Sequence, residues 1–311
     1  MREMKLKDSY DNILNVYIWD DVENPKGVFQ LVHGINEHGL RYVELADFLS
    51  SKGYIVYIND HVSQGKSRTP QDGDVVYFGK RGDEVLLDGV NVVKEQIKSD
   101  YPNHLIYAFG HSLGSIILRN YMIDCDNEYE KIILNGAGLQ DTKGLAVAVL
   151  VGNVLKLFRR KKPSKFFDSI FRQTQLKLNE KVKIDHFIEW LTRDKEKSEL
   201  NKQDKLLFIS LSVSVFVDML YLILKINKHD NIESLKFNNP VLLLSGTHDP
   251  STNFGQDTVL LNNLFNKNGV NSKVILYPEG RHDTLQEVNR RDVFNDIINF
   301  VENPVEDNYE S

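Results

Sequence analysis

The sequence predicts an α/β protein: a mostly parallel sheet with helices on both faces, interrupted by an inserted helical cap. Two observations carry this expectation. Short apolar runs alternate with helix-period segments at both ends of the chain, the pattern of a sheet buried on both sides and joined by crossover helices. Between about residues 138 and 234 the strand-like runs stop, and helical patterns separated by charged stretches take over. The expected division is one sheet domain built from 1–138 and 235–311, with 139–234 inserted as the cap. At 311 residues the chain is near the upper limit of a single core, which suits one domain carrying an insertion.

The elements follow in order. After a charged start, 13–19 reads as a strand and 27–32 as a buried strand ending on His33-Gly34. A helical pattern covers 41–52, with Val43, Leu45, Ala46, Phe48 and Leu49 apolar, and a strand follows at 54–58. Residues 60–82 are loop-like, rich in Gly, Ser, Asp and Pro. A helix at 84–99, a strand from 105, a helix to about 125 and a buried strand at 131–135 complete the first half. Beyond the cap come a strand at 240–245, a helix at 253–267, a strand at 273–277 and a terminal helix at 285–301.

A hydrophobic content of 41% and a charged content of 26% are ordinary for a globular protein. The formal charge of −6 argues against a nucleic-acid partner, whose phosphates call for a basic face. The single cysteine, Cys125, can form no intramolecular disulfide and is expected to be a buried bystander in a reducing compartment. The first eight residues lack the apolar core of a signal peptide, so a cytoplasmic location is expected. The run 206–226 is apolar over about the length that crosses a bilayer, but Asp218 sits near its middle. With no comparable segment to bury that aspartate, a buried or lipid-facing amphipathic helix is expected instead of a span.

Chemistry concentrates where strands end. The run from Leu105 stops on Gly110-His111-Ser112-Leu113-Gly114 and continues as a helix. This is the form of a nucleophile elbow, in which a strained strand-to-helix turn exposes the serine, and flanking glycines avoid collision with neighbouring backbone. Ser112 needs a base, and the base needs an acid to set its tautomer. The strand at 240–245 leads into Gly246-Thr247-His248-Asp249-Pro250, and the next into Glu279-Gly280-Arg281-His282. Asp249 and His282 therefore stand at the strand ends where ligand-facing residues gather. Read alone, Asp249 is a turn cap before proline and His282 a loop histidine; read with Ser112 they form a serine, acid, base series. Asp283 is a rival acid, set aside because adjacent residues seldom face one another. His111 and His248 are read as supporting residues. The oxyanion donors are expected at the N–H groups of Leu113 and Ile35, the latter on the loop entered by His33 and Gly34. His33, His38 and His61 show no spacing of a metal-ligand pair, and neither a metal nor another cofactor is expected.

These segments resemble the α/β-hydrolase superfamily, and within it the monoacylglycerol lipase and lysophospholipase group, also classed with serine aminopeptidase-like hydrolases. His33-Gly34-Ile35-Asn36-Glu37-His38 with Arg41-Tyr42 is similar to the group's HGxxEHxxRY segment. Asp60-His61-Val62-Ser63-Gln64-Gly65-Lys66-Ser67 resembles its DHxGHGxS loop, with Val62-Ser63-Gln64 in place of the usual Gly-His segment; Ser115 stands where a second glycine is common. The resemblance covers about 10–135 and 240–300, leaves the cap unmatched, and implies an α/β-hydrolase fold with Ser112, Asp249 and His282 as the triad.

For substrate the cap must be read by itself. Residues 144–158 are apolar almost all round, too short to span a membrane, and end on Arg159-Arg160-Lys161-Lys162. The helix either packs within the cap or dips transiently into an anionic membrane surface. An apolar roof favours acyl esters, monoacylglycerol and lysophospholipid among them. The alternatives are an aminopeptidase, for whose substrate amine the cap offers Asp168, Asp185, Glu189 and Asp218, and a hydrolase-fold binding module without catalysis.

Overall fold

The computed structural model describes residues 1–70, 73–124, 128–139, 144–163, 165–228, 235 and 237–304. Its strands are β1 (Arg2–Lys7), β2 (Ile13–Trp19), β3 (Gly27–Val32), β4 (Tyr54–Asn59), β5 (Val75–Val76), β6 (Ile106–His111), β7 (Lys131–Asn135), β8 (Ser210–Leu211), β9 (Val241–Gly246) and β10 (Ser272–Tyr277). The helices used below are α1 (Val43–Ser51), α2 (Gly82–Asp100), α3 (Leu113–Asp124), α4 (Leu145–Arg159), α5 (Lys165–Leu176), α6 (Lys195–Gln203) and α7 (Val213–Asn227), followed by Gln256–Lys267 and Arg290–Glu302.

Eight strands form one sheet in the order β1-β2-β4-β3-β6-β7-β9-β10. From β4 to β10 all neighbours are parallel, while β1 and β2 add an antiparallel edge. The continuous apolar runs have a simple cause: both faces are covered. Val28 and Val32 of β3, Ile106 and Ala108 of β6, and Val241 and Leu243 of β9 enter one core. Their alternates Phe29, Leu31, Tyr107, Phe109, Leu242 and Leu244 enter the other. Gln30, fully buried among them, has both ends satisfied: Nε2 donates to Val90 O at 2.8 Å and Oε1 accepts from Tyr129 Oη at 2.7 Å.

The structure departs from the sequence expectations in several places. The charged start is β1, a strand whose exposed edge alternates charge with Met4 and Leu6, too little apolar content to stand out. The terminal helix begins at Arg290, after a short 3-10 turn at Thr284–Gln286. Within the 206–226 run the helix starts only at Val213 and continues to Asn227, capped by Ser212 Oγ on Val215 N. Asp218 does have a burying partner: Lys156 of α4 donates to it at 2.6 Å, while burial pushes its carboxyl up to about 6. Among the described residues, β8 is the sole strand between β7 and β9, and it pairs with β5 outside the main sheet. No described helix is long and apolar enough to cross a membrane. Cys125 lies outside the described residues, as do 140–143 and 229–234 near the expected cap borders.

Candidate active site

β6 ends at His111 and α3 begins at Leu113, so Ser112 alone makes the turn, with φ of +51°. That left-handed conformation is uncommon for a residue with a side chain and costs about 1–3 kcal/mol. It is held by Ser112 N–H donating to Asn135 O at 2.9 Å and by Ser115 Oγ donating to Ser112 O at 2.7 Å. A methyl on Gly114 would lie 2.0 Å from Val32 O, and one on Gly110 2.6 Å from Gly114 O. Gly114→Ala should therefore push α3 off β3 and destabilise the fold by about 3 kcal/mol or more. Gly89→Ala in α2, whose methyl would meet Leu14 at 3.4 Å, should be neutral or better. Urea denaturation of the two variants side by side measures the difference.

The loop after β9 brings Asp249 against both its own turn and His282. Its Oδ1 accepts from Ser251 N at 2.8 Å and Ser251 Oγ at 2.6 Å, capping the short helix Pro250–Thr252, while Oδ2 lies 2.9 Å from His282 Nδ1. Burial would raise the Asp249 carboxyl, but the His282 charge and these hydrogen bonds hold it below the usual range. With Asp249 ionised, Nδ1 carries the proton and Nε2 is the free base edge. Burial alone would lower His282; the charge and hydrogen bond of Asp249 win and raise it. Ser251 Oγ also lies 2.9 Å from Nδ1. Sequence reading missed Ser251, although a hydroxyl two residues past a turn-capping Asp is a recognisable signal. The rival Asp283 is taken elsewhere, its Oδ2 accepting from Arg41 Nη2 at 2.6 Å.

On the loop after β3, Gly34 N–H donates to Glu37 Oε1 and Asn36 N–H to Gln64 Oε1 at 2.5 Å. Between them the Ile35 N–H has no acceptor among the described residues. A methyl on Gly34 would come within 3.2 Å of Ser112 Cβ, so this loop passes directly over the elbow. His33 is fully buried; its Nε2 accepts from His61 N, which leaves Nδ1 to donate to Gly34 O at 2.7 Å. Burial keeps both His33 and His61 neutral. Ser63, at a glycine position of the resembled motif, has φ of +62°. Glu37 and Asp283 both bind Arg41, and Tyr42 Oη adds a third bond to Glu37. Burial would raise Glu37; the charge of Arg41 and the hydrogen bond from Gly34 N–H hold it below the usual carboxylate range.

Trp190, Leu191, Leu207 and Phe208 roof a cavity whose floor is Ser112, His282, Ile35 and His111, with about 40 Å³ of free volume. The roof is tied to the loops beneath it. His38 Nε2 is 2.8 Å from Asp204 Oδ2, Asn36 Nδ2 donates to Ile209 O at 2.8 Å, and Phe208 between these ties has φ of +54°. Trp190 stacks on the His282 ring. None of these roof residues was singled out by the sequence reading.

The family model described as "Serine aminopeptidase, S33" matches residues 23–289. The chain belongs to this family. Its fold is the α/β-hydrolase fold, and the curated proteins it is similar to include monoglyceride lipases and a probable lysophospholipase. A monoglyceride lipase homolog of Monkeypox virus is 35% identical over 123 residues, 37% of this chain and 41% of that protein. A monoacylglycerol lipase of Mycolicibacterium smegmatis is 29% identical over 139 residues, 44% of this chain and 48% of that protein. The chain thus spans less than half the length of these curated relatives. A carboxyl esterase from Bacillus coagulans shares the fold, with a TM-score of 0.87 at 20% identity, covering 96% of this chain and 97% of the other.

The remaining candidates divide between the cavity and its surroundings. His111 accepts from Asn135 Nδ2 at 2.9 Å, and Asn135 Oδ1 in turn accepts from Thr284 of the histidine loop at 2.8 Å. His248 donates its backbone N–H to Gly280 O and does not line the cavity. Asp168 and Asp185 are exposed and Asp218 is paired with Lys156; neither they nor Glu189 line the cavity. Among the described residues, the carboxylates that do line it are Glu37 and Asp283. No three metal-ligating side chains gather among the described residues.

Proposed function

We propose that this family member is a serine hydrolase of carboxylic acyl esters, with monoacylglycerols and lysophospholipids as the substrate class. The observation that carries the reading is Ser112 on its strained turn, sharing one cavity with an imidazole pinned to a buried carboxylate. Ser112 Oγ attacks the acyl carbonyl while His282 Nε2 takes its proton, and Asp249 stabilises the resulting imidazolium. The N–H groups of Ile35 and Leu113 receive the oxyanion, the latter at the positive end of α3. His282 passes its proton to the departing alcohol, leaving an acyl-serine; water, deprotonated by His282, then releases the carboxylic acid and restores Ser112. His33, Gly34, Gly110, His111 and Gly114 shape and support this site. We assign 1–138 and 235–311 to the catalytic domain, 139–234 to the cap, and the site of action to the cytoplasm.

An amine substrate calls for a carboxylate free to receive it, and Glu37 and Asp283 are both engaged by Arg41. This favours esters over aminoacyl amides. A free volume of about 40 Å³ holds a few waters, whereas small-molecule sites run to several hundred Å³; the segment around Leu207 and Phe208 therefore moves aside when substrate enters. Labelling of Ser112 by a fluorophosphonate, followed by a screen of acyl chain length and head group beside aminoacyl amides, tests the reading. An unlabelled Ser112 overturns it.

Catalysis needs neutral His282. Because its pKa is raised, the ring stays protonated to higher pH, and activity is lost as pH falls through that value. The acid limb of kcat/KM is expected above the ordinary histidine value of about 6.5; a limb near pH 5 in the pH–rate profile contradicts the assignment.

α4 supports contact with a lipid surface. Val147, Leu150, Val151, Val154, Leu157 and Phe158 form one exposed stripe, with Leu157 and Phe158 exposed by 75% and 83%. The opposite side is held to α7 by Lys156–Asp218 and by Asn153 Nδ2 on Tyr221 Oη at 2.7 Å. With Arg159, Lys161 and Lys162 beside the stripe, Leu157→Ser with Phe158→Ser should weaken sedimentation with anionic vesicles by at least about tenfold, two buried apolar side chains' worth.

A further inference from the structure

The indole of Trp190 lies over the imidazole of His282, ring centroids 4.5 Å apart and planes 19° from parallel. A backbone ladder sets this geometry. The Trp190 carbonyl accepts from His282 N at 3.3 Å, and the Leu191 carbonyl from Asp283 N at 2.8 Å. Beside them, Arg281 Nη1 donates to Glu189 O at 2.5 Å and Thr192 O at 3.0 Å, and Thr192 Oγ1 donates to Gln286 O at 2.9 Å. The indole and the imidazole therefore ride on two segments sewn together, and both rings are almost wholly buried, 5% and 3% exposed.

We propose that Trp190 is a positioning residue for His282: its stacked face holds the imidazole rotamer and favours the imidazolium formed when Ser112 gives up its proton. The proposal rests on the hydrolase reading above. A cation within about 6 Å of an indole centroid is attracted by the ring quadrupole, and the attraction grows when water is excluded. The other groups facing His282 are Asp249 and Ser251 at Nδ1, the neutral ring of His111 at 4.8 Å, and the more distant charges of Asp283 and Glu37, themselves paired with Arg41. The carboxylates act whether or not Trp190 is present. What the indole adds is a fixed π face, parallel to the ring, at the position where positive charge appears and disappears twice per turnover.

The test is the pH profile of kcat/KM on the full chain with a p-nitrophenyl acyl ester. Trp190→Leu should move the acid limb to lower pH by roughly 0.5–1.5 units and lower kcat. Trp190→Phe, which keeps a smaller π face, should move it less. A limb that stays in place in a folded Trp190→Leu protein, with only KM or Tm altered, overturns the proposal. Should Trp190→Leu not fold, fluorinated tryptophan gives a second measurement, because fluorine withdraws π density while nearly keeping shape. The chain has two tryptophans, so the same labelling of Trp190→Phe reports Trp19 alone. A limb that falls with each added fluorine in the native chain but not in Trp190→Phe supports the stack; identical behaviour in both overturns it. Ring-proton NMR titration of His282 reads the same shift without turnover. A failure of the hydrolase reading, seen as Ser112 that takes no fluorophosphonate, is thereby separated from a failure of the stacking.

Discussion

Replacing Ser112 with alanine is expected to abolish turnover of p-nitrophenyl acyl esters, a fall in kcat on the order of 10⁴–10⁶, with the fold retained. The magnitude follows from the chemistry: without the hydroxyl no acyl-enzyme forms, and the oxyanion donors and binding alone give modest catalysis. Retention of the fold follows from the turn. Alanine at φ of +51° carries the same backbone strain as serine and keeps the hydrogen bonds of Ser112 N and O. Ser112→Gly makes a useful companion, because it relieves the strain and should raise stability by about 1 kcal/mol while being equally inactive. Steady-state kinetics and thermal denaturation of the two variants together measure both effects. Wild-type-like hydrolysis by Ser112→Ala contradicts the assignment of the nucleophile.

Replacing Arg41 with methionine is expected to cost about 3–5 kcal/mol, because it strands two buried carboxylates. Arg41 Nε bonds Glu37 at 2.9 Å and Nη2 bonds Asp283 at 2.6 Å, with each of the three side chains below one-tenth exposed. Adding Glu37→Gln and Asp283→Asn to Arg41→Met should recover much of the loss, since no unpaired charge then remains. The sign of the pH effect is fixed as well. With Arg41 gone, burial lets Glu37 gain its proton more readily in the fold than in the unfolded chain, so the deficit of the single variant should shrink between about pH 7 and 5. The network joins the loop of Ile35 to the loop of His282, so kcat should fall beyond what stability explains. Urea titrations at the two pH values check the first claims; a loss under about 1 kcal/mol would mean that the network behaves like a surface pair.

What was legible in the sequence was local. The buried strands announced themselves because both faces of each are covered and few polar residues interrupt them. Gly110 and Gly114 marked the elbow because backbone passes within a methyl's reach of each. Asp249 and His282 stood out as residues of the needed types just past strand ends. β1 escaped because an exposed edge strand needs only two apolar side chains, Met4 and Leu6, and reads like coil. The pairing of Asp218 was not legible because its partner, Lys156, lies on another helix, and no local pattern ties position 156 to position 218.

By itself the sequence determined the alternation of strands and helices, the strained turn at Ser112, and the order in which serine, acid and histidine arrive at one sheet edge. These depend on sterics and periodicity over a few residues. Only the tertiary structure decided what surrounds them: Arg41 reaching Asp283 across 242 positions, His38 on Asp204, Ser251 sharing Nδ1 with Asp249, and Trp190 laid flat on the imidazole. Such pairings arise when the chain closes on itself, where a charge or a ring takes the partner that burial puts beside it, and they leave no period or spacing in the linear text. The geometry of the elbow was therefore readable early, whereas the roof over it came into view only with the folded chain.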